Sequence, residues 1–194
     1  MQFPVIITGI GIFLLLGIFG MVRQQWRAQK RKRFKKTQAE ENLRIVRENR
    51  YQAKKICNAN ERAAYTAACA VIWERQRKER VFVQVSLGEI IMHPHGRVHA
   101  AINSKRVDLL VTDEQFNALI AIEIDGSGHH LTNYSHINDE GKTLALRSAG
   151  IPLLRVSARQ DNHEDIKRQV RKGLEQFFAK QLNLLFVTYY CSGL

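Results

Sequence analysis

Cysteine is scarce in this chain: three in 194 residues, Cys57, Cys69 and Cys191, with no C-x-x-C spacing. An odd and scattered set argues against a disulfide framework and against a thiolate zinc site, and it suits a reducing compartment. Acidic residues are missing where basic ones crowd. The segment 23–36, RQQWRAQKRKRFKK, has eight Lys and Arg and no acid. The net charge of +12 is therefore uneven: 1–60 holds 13 Lys and Arg against 3 Glu, a net of +10, which leaves about +2 for the remaining 134 residues. A charge excess confined to one arm does not make the rest of the chain a nucleic-acid binder. Basic residues are also absent ahead of the apolar run 3–22, which only Met1 and Gln2 precede. A cleaved signal peptide needs a basic region there, so that reading is disfavoured.

The run itself, FPVIITGIGIFLLLGIFGMV, carries no charge over about 20 residues, long enough as a helix to cross a hydrocarbon layer of about 30 Å. It is expected to be a transmembrane helix over 3–22. The basic residues that follow place the remainder on the cytoplasmic side by the positive-inside rule. The segment 23–57 then reads as a basic juxtamembrane arm and linker attracted to anionic lipid, with nucleic-acid phosphate as the alternative partner.

A domain is expected over 58–181, followed by a tail over 182–194. Asn60 is placed to cap a helix whose apolar face holds Ala64, Cys69, Val71, Ile72 and Trp73. The stretch 81–87, VFVQVSL, alternates as a strand does. His93, His95 and His99 lie around a Pro-Gly turn without carboxylate or thiol partners, which fits an exposed turn better than a metal site. A helix is expected over 135–149, ended by Gly150 and Pro152, then a strand over 152–156. An amphipathic helix over 165–181 follows, with Ile166, Val170, Leu174, Phe177 and Phe178 as its buried stripe. The stretch 182–190 is apolar enough for either a further strand or a packed extension.

The chemistry concentrates in 105–129, KRVDLLVTDEQFNALIAIEIDGSGH. Two apolar runs of strand length, 107–111 and 118–124, flank a polar connector. Asp108 stands in the first run, Glu123 and Asp125 at the end of the second. Alternation puts Glu123 and Asp125 on one face and Ile122 and Ile124 on the other. If the runs pair as a hairpin, three carboxylates converge at one sheet edge, and like charges so close need a neutralising cation. A hard divalent ion with oxygen ligands meets that need.

The order from Asn60, helix, three strands, helix, strand, helix, resembles the restriction-endonuclease-like fold of the PD-(D/E)xK nuclease superfamily. More closely, about 61–155 resembles the bacterial DUF2726 domain, in QVSLGEII at 84–91, INSKRVDLLV at 102–111, AIEIDGSGH at 121–129, Asp139 with Lys142, and AGIPLLRV at 149–156. This resemblance implies an α/β fold with an αβββαβ core and a closing C-terminal helix, after the transmembrane helix, and it makes the expected membrane the bacterial inner membrane. It also implies a metal-dependent nuclease, with DNA ahead of RNA as its expected substrate. Asp108 and Glu123 would hold Mg²⁺ or Mn²⁺, and Asp125 would be a further metal ligand, although that position carries lysine in the usual motif. His129 would be a general base or phosphate contact, and Lys142 would take over the missing lysine's role. Glu61 would bind a metal water or stand behind the ligands, Arg155 would contact phosphate, and Arg106 would belong to a basic patch with Arg97, Lys105, Lys142, Arg147 and Arg155. Plainer readings stand beside these: Glu61 as a first-turn helix acid, Asp139 and Lys142 as a surface ion pair, Arg155 as a strand end. The nuclease reading requires Asp108, Glu123 and Asp125 to approach within metal-bridging distance. Its alternative is a membrane-tethered nucleic-acid-binding or scaffold protein that keeps the fold without catalysis.

Overall fold

The computed structural model describes residues 3–126, 133–158 and 162–191, with side chains described over 17–126, 139–158 and 162–182. Its contacts divide the chain into two units, Met1–Lys54 and Lys55–Leu194.

The first unit is one helix, α1 (Phe3–Glu48). Its Arg, Lys, Gln, Glu and Ala content favours a helix, and partners one turn apart support it. Arg44 bonds Glu41 at 2.6 Å, Gln38 donates to Asn42 at 3.2 Å, and the Lys30 ammonium lies 5.3 Å from the Trp26 ring centre. Asn49 Nδ2 donates to the Ile45 carbonyl at 2.7 Å and satisfies one of the last helical carbonyls. The expected transmembrane helix is corrected here: among the described residues, no helix is long and apolar enough to cross a membrane. The apolar run that suggested it ends at Arg23, and the basic segment 23–36 continues in the same helix. The membrane anchor and the single-pass inner-membrane placement fall with that expectation.

The second unit begins with α2 (Ala59–Glu74), capped by Asn58 rather than by the expected Asn60. The Asn58 side chain accepts the Glu61 N–H at 2.9 Å, and the Glu61 carboxylate accepts the Asn58 N–H at 2.9 Å, which makes a capping box. Ala63, Ala64, Ala67, Ala68, Val71 and Ile72 form the buried face of α2. Trp73 is 83% exposed, against the expectation that it belongs to that face.

Strands β1 (Arg80–Ser86), β2 (Arg106–Thr112) and β3 (Ala118–Asp125) follow, with short helices α3 (Leu87–Ile90) and α4 (Gly96–Ala100) between the first two. Asp113 shapes the β2–β3 turn: its carboxylate accepts the N–H groups of Gln115 and Asn117 at 3.0 and 2.8 Å. Helix α5 (Asn133–Ser148) carries the chain across to β4 (Leu153–Ser157), and α6 (His163–Cys191) closes the unit. The sheet order is β1-β2-β3-β4, with three antiparallel strands and β4 parallel to β3. A parallel neighbour requires a crossover, and α5 supplies it. Gly150, at φ +72°, ends that crossover in the left-handed conformation glycine tolerates.

Apolar residues fill both faces of the sheet. On one, Leu109, Val111, Ile120, Ile122 and Ile124 meet α2 and the α6 stripe of Ile166, Val170, Leu174 and Phe178. On the other, Leu110 and Ala121 meet Leu146 of α5 and Leu87 of α3. The backbone of α6 stays helical to Cys191, through the stretch for which a strand or a packed extension was open.

Candidate active site

The site is built where β2 loses its regular alternation. Leu109 and Val111 belong to the cluster under α2 and α6, yet Val107 belongs to the cluster under α5. Residues two apart on a strand should share a face, so the strand turns at Asp108. Strand β1 does the same around Gln84: Val83 packs with the first cluster and Val85 with the second. The Cα pairing Val83↔Leu109 resumes at Val85↔Val107 and passes over Gln84 and Asp108. Gln84 has φ +55°, a left-handed conformation unusual for a residue with a Cβ. Such local strain clusters at functional sites.

The turn frees the Asp108 carboxylate to act within the sheet. Its Oδ2 accepts the Ile124 N–H of β3 at 2.8 Å, and Gln84 Nε2 lies 3.5 Å from Oδ1. Asp108 thus takes a ladder donor of β3 just beyond the last regular β2–β3 pair, Leu109↔Ile122.

Glu123 is held differently. It lies on the Ala121 face of β3, under α5, and is only 8% exposed. Lys142 stands one helical turn before the buried Leu146 and reaches the same face, where its Nζ donates to Glu123 Oε2 at 2.7 Å. Glu123 Oε1 is buried without a hydrogen-bond partner among the described residues. Burial pushes the Glu123 carboxyl up to about 7, and the Asp108 charge pushes the same way. Lys142 and then Arg155 oppose them.

Asp125 does not join these two. Arg155, which pairs with Glu123 across the parallel β3–β4 ladder, donates from Nη1 to Asp125 Oδ1 and Oδ2 at 3.1 and 3.3 Å. Its Nη2 donates to Thr143 Oγ1 at 3.1 Å, and Thr143 in turn donates to the Asp139 carbonyl. Among the described residues, no three His, Cys, Asp or Glu side chains are grouped to hold a metal ion. The expected three-carboxylate cluster is corrected to a pair, Asp108 and Glu123, with Asp125 tied to a cation of its own.

The remaining expected residues are dispersed. The Glu61 carboxylate is engaged in the capping box of α2, although it and Asp108 both lie near enough to Cys57 to push that thiol up, after burial, the larger cause. Arg106 is exposed at the start of β2, and Asp139 enters the network through its backbone. Lys105 lies beside Gly141, one residue from Lys142. His129 and the neighbouring His130 lie outside the described residues. Sequence reasoning missed Thr143 and Gln84. A lone polar residue in the middle of VFVQVSL was the available signal for Gln84, and nothing in the sequence singles out Thr143.

The family model named "Protein of unknown function (DUF2726)" matches residues 53–174. The chain belongs to the DUF2726 family. An uncharacterized protein of Haemophilus influenzae is 31% identical over 166 residues, which is 79% of this chain and 87% of that protein. Uncharacterized protein y4bI of Sinorhizobium fredii is 37% identical over 97 residues, 50% of this chain and 70% of its own length. No solved structure matches. The DUF2726 match takes in Asp108, Glu123, Lys142, Asp125 and Arg155, and it leaves out α1.

Proposed function

We propose that this DUF2726 chain is a metal-dependent phosphodiester hydrolase of the PD-(D/E)xK kind, acting on nucleic acid, with DNA as its expected substrate. The observation that carries the reading is Glu123: a carboxylate buried in an apolar sheet within reach of the Asp108 charge, bonded to Lys142 through one oxygen and, among the described residues, unpartnered at the other. Lys142 stands on α5 rather than two residues after Glu123, so a lysine from the next helix supplies the cation the usual motif places on the strand. Burying an acid in this way is costly and calls for compensation.

The donor set fits Mg²⁺ or Mn²⁺, which use one or two carboxylates with water and substrate phosphate. Asp108 and Glu123 would hold the ion through carboxylate oxygens, Glu123 Oε1 among them. Such an ion, when bound, polarises a phosphoryl oxygen and lowers the pKa of its water. The chain's own residues do the rest. Lys142 sets the direction of the Glu123 carboxylate and stabilises negative charge developing on the phosphate. Arg155, held by Asp125 and Thr143, keeps a guanidinium beside Glu123.

A second reading, a nucleic-acid-binding module without catalysis, is favoured by the Asp125–Arg155 pairing and by the Ile124 N–H that occupies Asp108. The two separate in one experiment. Plasmid and linear DNA are incubated with the protein, with Mg²⁺, Mn²⁺ or EDTA, beside Asp108→Ala and Glu123→Gln. Metal-dependent cleavage lost in both variants supports the hydrolase. Three folded, DNA-binding and equally inert proteins would leave the binding module.

A further inference from the structure

A cavity of about 360 Å³ opens between the first turns of α2 and β1, lined by Ile56, Cys57, Arg62, Tyr65, Val81 and Val83, with Phe82 at its side, and Cys57 in its wall feels the Asp108 charge. Val83, in the cavity wall, pairs with Leu109, the sequence neighbour of Asp108. Strand β1 is an edge of the sheet. Along α2, Tyr65, which lines the cavity, is followed at i+4 and i+8 by Cys69 and Trp73. Tyr65 is 38% exposed and Trp73 83%. The two rings stand about 12 Å apart along the helix at 1.5 Å per residue.

Charge identifies the occupant. Arg62 lines the cavity one turn before Tyr65, and Arg75 caps the C-terminal end of α2 two residues past Trp73; both are exposed and neither is in an ion pair among the described residues. Glu74, the acid next to Trp73, is neutralised by Arg171. Exposed aromatic faces with guanidinium groups at either end take up unpaired bases and their phosphates, whereas a duplex hides its base faces in the stack. An apolar protein partner would leave the two arginines unanswered.

We propose that this face of α2 and the cavity beneath it bind single-stranded nucleic acid, with one base in the cavity against Tyr65, another on Trp73, and Arg62 and Arg75 on the phosphates. The strand then passes Asp108. The inference deepens the hydrolase reading and takes its substrate class from this face: an unpaired strand, or a frayed end, rather than intact duplex.

The test is a binding titration of the full chain in EDTA at physiological salt, with a fluorescein-labelled oligothymidylate and a labelled hairpin duplex of equal length as probes. The expected result is preference for the oligothymidylate, weakened about tenfold or more in Tyr65→Ala and in Trp73→Ala and retained in Tyr65→Phe, with duplex binding unmoved. Both side chains are exposed, and circular dichroism verifies that the variants stay folded. Wild-type affinity in both alanine variants, or equal loss on both probes, overturns the proposal. Because EDTA removes the metal, an inert protein in the cleavage assay that still shows this binding pattern defeats the hydrolase and leaves the strand-binding face standing.

Discussion

Glu123 and Lys142 make the residue-scale case that a site exists. A packed strand face has no need of an acid, and an acid there raises its own proton affinity. With its carboxyl pushed from about 4.5 up to about 7, the folded state holds a proton that the unfolded chain has already lost. Folding stability from this group is therefore greatest below about pH 4.5, falls as pH rises towards about 7, and levels off above it. Lys142 limits that fall by pairing with the ionised form. In the absence of added metal, Lys142→Met is expected to cost about 3 kcal/mol or more at about pH 8, where an unpaired carboxylate is left buried. The cost shrinks towards about pH 5, where Glu123 is protonated. Urea unfolding at the two pH values measures the difference, and a pH-independent loss would mean that Lys142 contributes packing alone.

Each element of the domain is specified by a local device joined to a packing face. In α2 the device is the Asn58–Glu61 box, and the face is the run of alanines that lets the helix lie close to the sheet and α6. Asn58→Ala is expected to destabilise the second unit by about 1 kcal/mol, read as a lower urea midpoint with an unchanged slope. The same box explains why Glu61 reads two ways in the sequence: a first-turn acid and a candidate ligand look alike until the partner of the carboxylate is known. Trp73 shows the limit of helical periodicity. It follows two buried residues, Val71 and Ile72, yet falls on the opposite side of the helix from the alanine face and is exposed.

For the whole molecule, the decisive features are the division into two units and the uneven charge. The contacts within Lys55–Leu194 enclose both apolar clusters. The fragment 55–194 is therefore expected to unfold cooperatively with a urea midpoint equal to that of the same transition in the full chain. The full chain, carrying the basic segment 23–36, is expected to bind DNA with a steeper dependence of log K on log salt than the fragment, because each phosphate neutralised adds roughly 0.9 to the slope. Equal slopes would show that the arm does not engage the nucleic acid.

Much of the second unit was legible from local pattern. The alternation of 81–87, the apolar runs 107–111 and 118–124, the Gly150 stop and the spacing of Ile166, Val170, Leu174 and Phe178 are one-dimensional signals of strand, turn and helix, and the elements lie there. Apolar length over 3–22 misled for the same reason that the strands were readable: hydropathy reports composition. Among the described residues it did not amount to a spanning helix. By itself, the sequence determined which segments bury themselves and which acids stand among apolar residues, since both follow from side-chain chemistry and period. Only the tertiary structure decided that Asp108 takes the Ile124 N–H, that Lys142 rather than a strand lysine answers Glu123, and that Arg155 claims Asp125. Those pairings join residues 12 or more positions apart, across a broken alternation and a parallel crossover, and no local period encodes which charge meets which.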